Sequence, residues 1–163
     1  MVKIQFDQNG GMCGECGDNY ALPRPRQNEE GGKYGKGIIG QTYKPGTPFQ
    51  ISIQLTANHL GYFEFRLCAD KQSADELVTQ QCLDKHLLQL ADGSTRFHIQ
   101  DPNQQYFNLM ALLPQGVTCQ YCVIQWHYLT GNSWGSGCAD GSGVGCGDRQ
   151  ETFRNCADVA ILP

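Results

Sequence analysis

Histidine and cysteine are the side chains in this sequence whose chemistry could reach beyond packing. The 163 residues hold four of the first and nine of the second. His98 and His127 fall in alternating, strand-like stretches and His86 has no special setting, so these three read as ordinary, partly buried and hydrogen-bonded residues. His59 differs. It follows the faultless alternation Gln50-Ile51-Ser52-Ile53-Gln54-Leu55-Thr56 and sits in Ala57-Asn58-His59-Leu60-Gly61, where the chain must turn. The end of a rigid strand presents a ligand well, and an imidazole there can take a metal or carry a proton.

The cysteines include two Cys-x-x-Cys pairs, Cys13/Cys16 and Cys119/Cys122. Four thiolates on two tight turns would suit tetrahedral zinc, but zinc-ribbon knuckles lie about 15 to 20 residues apart. Here about a hundred residues separate them. A thioredoxin-like role would need a βαβ setting, and the surroundings read as strand and loop. Structural disulfides in an oxidising compartment explain the cysteines best, so the protein is expected to be secreted. Cys68 and Cys82 are expected to bridge, because one ends a strand and the other closes the excursion that follows it; the cross-link would contribute roughly 3 kcal/mol. The other pairings stay open. An odd count means that one thiol is free or that its partner lies on chain not included here. Met1-Val2-Lys3-Ile4-Gln5-Phe6 has no apolar export region, so the chain is expected to be N-terminally incomplete.

No Gly-x-Ser-x-Gly elbow, phosphate loop or His-Glu-x-x-His helix occurs. Asp140-Gly141-Ser142-Gly143 lacks the oxygen ligands of a calcium loop. Twelve Lys and Arg against 16 Asp and Glu leave a net charge of −4, with no basic excess to attract nucleic acid. No run of 18 apolar residues exists to cross a membrane as a helix.

The elements that must position His59 read as strands. Besides 50–56, they are Phe63 to Leu67, Arg96 to Ile99, Tyr106 to Leu113, Cys122 to Tyr128 and Phe153 to Leu162, separated by turn residues. Ile51, Ile53, Leu55, Phe63, Phe65 and Leu67 are the expected core, with Ser52 and Gln54 outside. Residues 1 to 49 are broken by Gly and Pro and read as loop. Ser73 to Leu88 is the one helical candidate, with a poor apolar stripe. Gly-rich 131–148 is expected to hold no regular element and to be pinned covalently. The whole predicts an all-β fold of two antiparallel sheets forming a sandwich, residues 1–163 making one domain.

Several longer stretches carry a resemblance. Asn9 to Asp18 (Asn-Gly-Gly-Met-Cys-Gly-Glu-Cys-Gly-Asp), Gly35-Lys36-Gly37-Ile38-Ile39-Gly40 and Leu55-Thr56-Ala57-Asn58-His59 come first. Cys82-Leu83-Asp84-Lys85, Arg96-Phe97-His98-Ile99, Thr118 to Trp126 and Gln150 to Ile161 follow in order. Together they span nearly the whole chain and resemble the lytic polysaccharide monooxygenases of auxiliary activity family fifteen, also described as chitin-binding type-4 domains.

The resemblance implies a secreted immunoglobulin-like or fibronectin-III-like β-sandwich with long disulfide-pinned loops and one copper ion in a histidine brace. The brace takes the amino and ring nitrogens of an N-terminal histidine and the ring nitrogen of a second, which His59 matches. By the same resemblance Ala57 is the small residue near the open face of the metal, Phe153 occupies the axial position without being a true ligand, and Glu151 orients oxygen species. His59 and Phe153 are therefore expected to approach each other at the surface, with Ala57 close by. The implied activity is oxidative cleavage of crystalline polysaccharide, chitin ahead of cellulose, at C1 or C4, by a monomer served by an external electron donor. The chain begins with Met where the brace requires His, so the 163 residues as written are expected to bind copper weakly and to be inactive. A non-catalytic chitin-binding module is the alternative.

Overall fold

The alternating segments become strands, and which of them are central follows from how apolar both of their faces are. The computed structural model describes residues 2–163. Its elements are a π-helical turn at Ile4–Gln8, then β1 (Gln41–Tyr43), β2 (Pro48–Gln54), β3 (Tyr62–Cys68), α1 (Gln80–Leu83), β4 (Gln89–Leu90), β5 (Phe97–His98), β6 (Tyr106–Leu112), β7 (Cys119–Leu129), β8 (Trp134–Cys138), β9 (Gly141–Val144) and β10 (Thr152–Ile161). A five-stranded sheet runs in the order β1-β10-β7-β3-β5 and a three-stranded one in the order β2-β6-β4; β8 and β9 form a separate hairpin. The all-β expectation holds. Pairing is antiparallel except at one edge, where β1 lies parallel to β10, from Gln41 beside Val159 to Tyr43 beside Ile161.

One core joins the two sheets. Phe63, Phe65 and Leu67 of β3 and Ile124 and Tyr128 of β7 meet Phe49 of β2, Leu90 of β4 and Phe107 and Ala111 of β6. Phe63 is enclosed by edge-on contacts with Phe107 and Tyr128 at 5.1 Å between ring centres, a geometry worth roughly 0.5–1.5 kcal/mol per pair beyond area burial. Leu55 is buried as expected, and Ser52 and Gln54 face solvent. Ile51 and Ile53 are a correction: they point inward but are only half-buried, because β2 ends its sheet and one flank has no neighbouring strand.

The other face of β3 and β7 is also covered. Cys68 and Val123 pack there with Cys16, Val78 and Leu83. Polar residues of this face make buried contacts of their own. Glu64 receives Arg66 Nη2 at 2.8 Å and Arg96 Nε at 2.7 Å, and Gln125 Nε2 donates to the Glu15 carbonyl at 2.7 Å. The N-terminal third is loop-rich as expected, but it is anchored by buried charge: Glu29 accepts from Arg24 Nε at 2.9 Å and Arg26 Nη1 at 2.6 Å, and Glu30 holds Lys71 Nζ at 2.5 Å.

Two further expectations are corrected. The helix between Ser73 and Leu88 is limited to Gln80–Leu83, with the Thr79 hydroxyl accepting from the Cys82 N–H at 3.2 Å as its cap. Residues 86–88 are drawn into pairing with β3 instead, through Leu67 N–H to His86 O and Leu88 N–H to Phe65 O, both at 2.9 Å. The glycine-rich stretch does form strands, β8 and β9. A Cβ at Gly135 would lie 2.5 Å from the Gly147 backbone, so the bare glycine lets the chain fold closely on itself.

The disulfides are Cys16–Cys156, Cys68–Cys82, Cys119–Cys122 and Cys138–Cys146. Cys68 and Cys82 pair as expected. The Cys13/Cys16 motif is not a unit, because Cys16 reaches across to β10 and Cys13 is a free thiol among the described residues. The expectation attached to Met1 lies outside the described residues.

Candidate functional site

His59 stands in the tight link between β2 and β3, and its backbone is held by β7 and the residues after it. Its N–H donates to the Tyr128 hydroxyl at 2.9 Å, and its carbonyl accepts from the Gly131 N–H at 2.9 Å. Asn58 shapes the turn, its Oδ1 accepting from the Leu60 N–H at 2.8 Å and its Nδ2 donating to the Gln104 carbonyl at 2.7 Å. Gly61 then adopts φ +83°, and a Cβ there would lie 2.0 Å from the Leu129 carbonyl oxygen. Only glycine allows the link to press this closely on the end of β7.

Phe153 arrives from β10. Strand register places it opposite Tyr128, which also pairs with Phe63, so a central residue of the core sets the position of a surface ring. The His59 and Phe153 ring centres are 6.3 Å apart with an angle of 19° between planes, and Phe153 and Tyr128 are 5.8 Å apart at 26°. Glu151 directly precedes β10, and its carbonyl accepts from the Thr130 N–H at 2.9 Å. Gln5 Oε1 accepts from the Thr152 N–H at 3.0 Å, tying the N-terminal turn to the same strand.

The structure thus brings together Ala57, His59, Glu151 and Phe153: all four line one cavity of about 390 Å³, with Tyr128 and Cys13 also on its wall. Burial raises the Tyr128 hydroxyl above its ordinary value and keeps it neutral. Burial also pushes the Cys13 thiol up, against the nearby Arg154 and Arg26 charges that oppose the rise. Thiolate formation is therefore disfavoured. The remaining histidines lie elsewhere. His98 packs on Tyr62 with ring centres 5.5 Å apart, His86 offers its carbonyl to β3, and His127 accepts from Arg154 Nε at 3.1 Å through Nδ1.

The donor chemistry fits copper as far as this chain's described residues go. His59 offers a half-exposed imidazole of the kind copper takes, and Phe153 beside it has no lone pair to compete. No group of three His, Cys, Asp or Glu that could hold a metal ion exists among the described residues. Among the described residues, His59 supplies one nitrogen donor.

His127 supplies a pH dependence separate from this site. Its pKa is lowered from the ordinary 6.5 to about 4, first by burial and then by the charges of Arg154 and Arg66. The unfolded chain therefore takes up this proton first as pH falls. The stability that neutral His127 contributes is complete above about pH 6.5 and is lost between there and about pH 4, roughly 3 kcal/mol in all. Urea unfolding midpoints should fall between about pH 7 and 5 in the wild type and fall less in His127→Gln. Parallel curves for the two proteins would refute the assignment.

Tyr128, whose hydroxyl accepts from the His59 N–H, and Asn132, whose side-chain amide meets the His59 ring at Nδ1 at 3.0 Å, are not distinguished by any sequence signal: one reads as a strand residue and the other as part of a glycine-rich loop.

Residues 3–159 match the protein family described as lytic polysaccharide mono-oxygenase, cellulose-degrading. Among solved structures, the chain is similar to the auxiliary activity family fifteen lytic polysaccharide monooxygenase from Thermobia domestica in the Cu(I) state. The two are 51% identical with a TM-score of 0.92, over 98% of this chain and 82% of that one. The copper complex of the cellulose-active lytic polysaccharide monooxygenase CelS2 is more distant, 17% identical over 74% of this chain and 52% of that one, with a TM-score of 0.46. No curated protein sequence matches. With a family match along almost its whole length, this chain belongs to the lytic polysaccharide mono-oxygenases.

Proposed function

We propose that the protein carries out copper-dependent oxidative cleavage of crystalline polysaccharide, with chitin as the main substrate and His59 as a copper ligand. The observation that supports this most is the near-parallel approach of the His59 and Phe153 rings at 6.3 Å, on a cavity shared with Ala57 and Glu151. When bound, copper supplies the one-electron redox chemistry with oxygen or peroxide, reduced by an external donor, that removes a hydrogen from C1 or C4 of the sugar.

This chain's own residues set the stage for that chemistry. His59 presents a ring nitrogen from a turn whose N–H and carbonyl are both engaged. Phe153 would present an apolar wall without a donor atom beside a metal held by His59, and so would not compete as a ligand. Ala57 is exposed and small, leaving room on the open side. Glu151 lines the same cavity and is the residue proposed to orient a polar co-substrate.

Secretion is proposed on the four disulfides; no helix of the described residues is long and apolar enough to cross a membrane. The two sheets around one core support the immunoglobulin-like or fibronectin-III-like sandwich, and a monomer is proposed with it. Cellulose is the second substrate to test, because the matched family is described by that activity.

The test uses the complete gene product with copper, a reductant and either chitin or cellulose, and reads soluble products by mass spectrometry. Oxidised oligosaccharides from chitin in excess of those from cellulose are expected. Adsorption to chitin with no oxidised product from either polymer would favour the non-catalytic binding module, and release from cellulose alone would overturn the substrate assignment.

A further inference from the structure

An imidazole binds a metal only through a nitrogen that carries no proton, and the partner of the other ring nitrogen decides which one that is. The two backbone bonds of His59 fix where the residue sits, but neither touches the ring. The ring's partner is Asn132, whose side-chain amide meets Nδ1 at 3.0 Å, Nδ2 being the nearer amide atom.

Asn132 is itself well placed for this task. The residue before it donates its N–H to the His59 carbonyl, at 2.9 Å. The residue after it, Ser133, donates its N–H to Gln150 Oε1 at 3.0 Å and its hydroxyl to the Arg149 carbonyl at 2.8 Å. The chain is thus secured on both sides of an exposed asparagine whose amide can turn about its own axis without moving the backbone.

We propose that Asn132 is a positioning residue that holds the His59 ring through Nδ1 in either tautomer, so that Nε2 is the ring nitrogen left for the metal. The proposal rests on the copper reading above and deepens it. With the amide nitrogen toward the ring, Asn132 donates to an unprotonated Nδ1 and the ring proton sits on Nε2. With the amide oxygen toward the ring, it accepts from Nδ1–H and Nε2 carries the lone pair. In both cases Nδ1 is occupied, and the second arrangement is the one that binds. A half-turn of the amide converts one into the other, so the same residue serves the metal-free and metal-bound ring. Aspartate at this position can only accept, which holds the proton on Nδ1. Leucine can do neither.

Nitrogen-15 correlation spectra of the histidine rings in the metal-free chain test this directly, with His86, His98 and His127 as internal references. Metal-free wild type is expected to show mainly the Nε2–H form, since the amide nitrogen faces Nδ1, Asn132→Asp the Nδ1–H form, and Asn132→Leu a mixture of both. Asn132 is exposed, so neither variant disturbs the core. Cu(II) titration of the complete gene product should then show affinity retained in Asn132→Asp and reduced about 10–100-fold in Asn132→Leu, the usual cost of removing a partner of a metal-bound histidine. Identical His59 spectra in wild type and Asn132→Leu, or equal copper affinities, would overturn the proposal. Failure of Cu(II) to broaden the His59 resonances of the complete gene product would sink the copper reading itself, and the tautomer pattern measured without metal separates that failure from this one.

Discussion

Replacing His59 by alanine is expected to abolish copper-dependent release of oxidised oligosaccharides by the complete gene product. The substitution removes a ligand outright, so Cu(II) affinity should fall by more than the roughly 10–100-fold that loss of a ligand's hydrogen-bonding partner costs. The fold should survive it. The ring is only half-buried, and the bonds from the Gly131 N–H and to the Tyr128 hydroxyl use backbone atoms that alanine retains. Calorimetric copper titration, mass spectrometry of products and a thermal melt on the same sample check the three statements. A variant that melts like wild type and still yields oxidised products would remove His59 from the chemistry.

Loss of the Cys16–Cys156 bond should have the largest effect on stability. It links residues 140 apart in sequence, and the chain-entropy model assigns a loop of that size about 5 kcal/mol. At roughly 2–4 °C per kcal/mol for a chain of this length, Cys16→Ala/Cys156→Ala should melt about 10–20 °C below wild type. The bond also fastens the loop that carries Cys13 and Arg26 to β10, next to the cavity. Cys138→Ala/Cys146→Ala opens a cross-link of separation 8 and should cost about half as much. Differential scanning calorimetry of the two variants gives the comparison, and equal decreases would contradict the loop-length account.

Fold class and strand positions were legible because a strand with one covered face must alternate. Gln50 to Thr56 alternates, and the side chains of β2 face as its pattern requires. Less legible were the central strands, which are covered on both faces. Glu64 and Gln125 are polar residues in such strands, and Arg96 and the Glu15 carbonyl meet them there from other parts of the chain. The same holds for Glu30, whose partner Lys71 lies 41 positions away and makes a punctuated, seemingly open loop part of the interior.

The sequence by itself determined an all-β chain, a Cys68–Cys82 cross-link and a histidine displayed at the end of a regular strand, since each depends on residues near one another along the chain. Tertiary structure alone decided that Phe153, 94 positions later, stacks beside His59, and that Tyr128 and Asn132 hold it. It also decided that Cys16 joins Cys156 and leaves Cys13 free, and that β1 lies parallel to β10. The physical reason is the same in each case: local periodicity specifies which way a side chain faces, whereas the identity of its partner depends on strand order and register, which many distant contacts fix together.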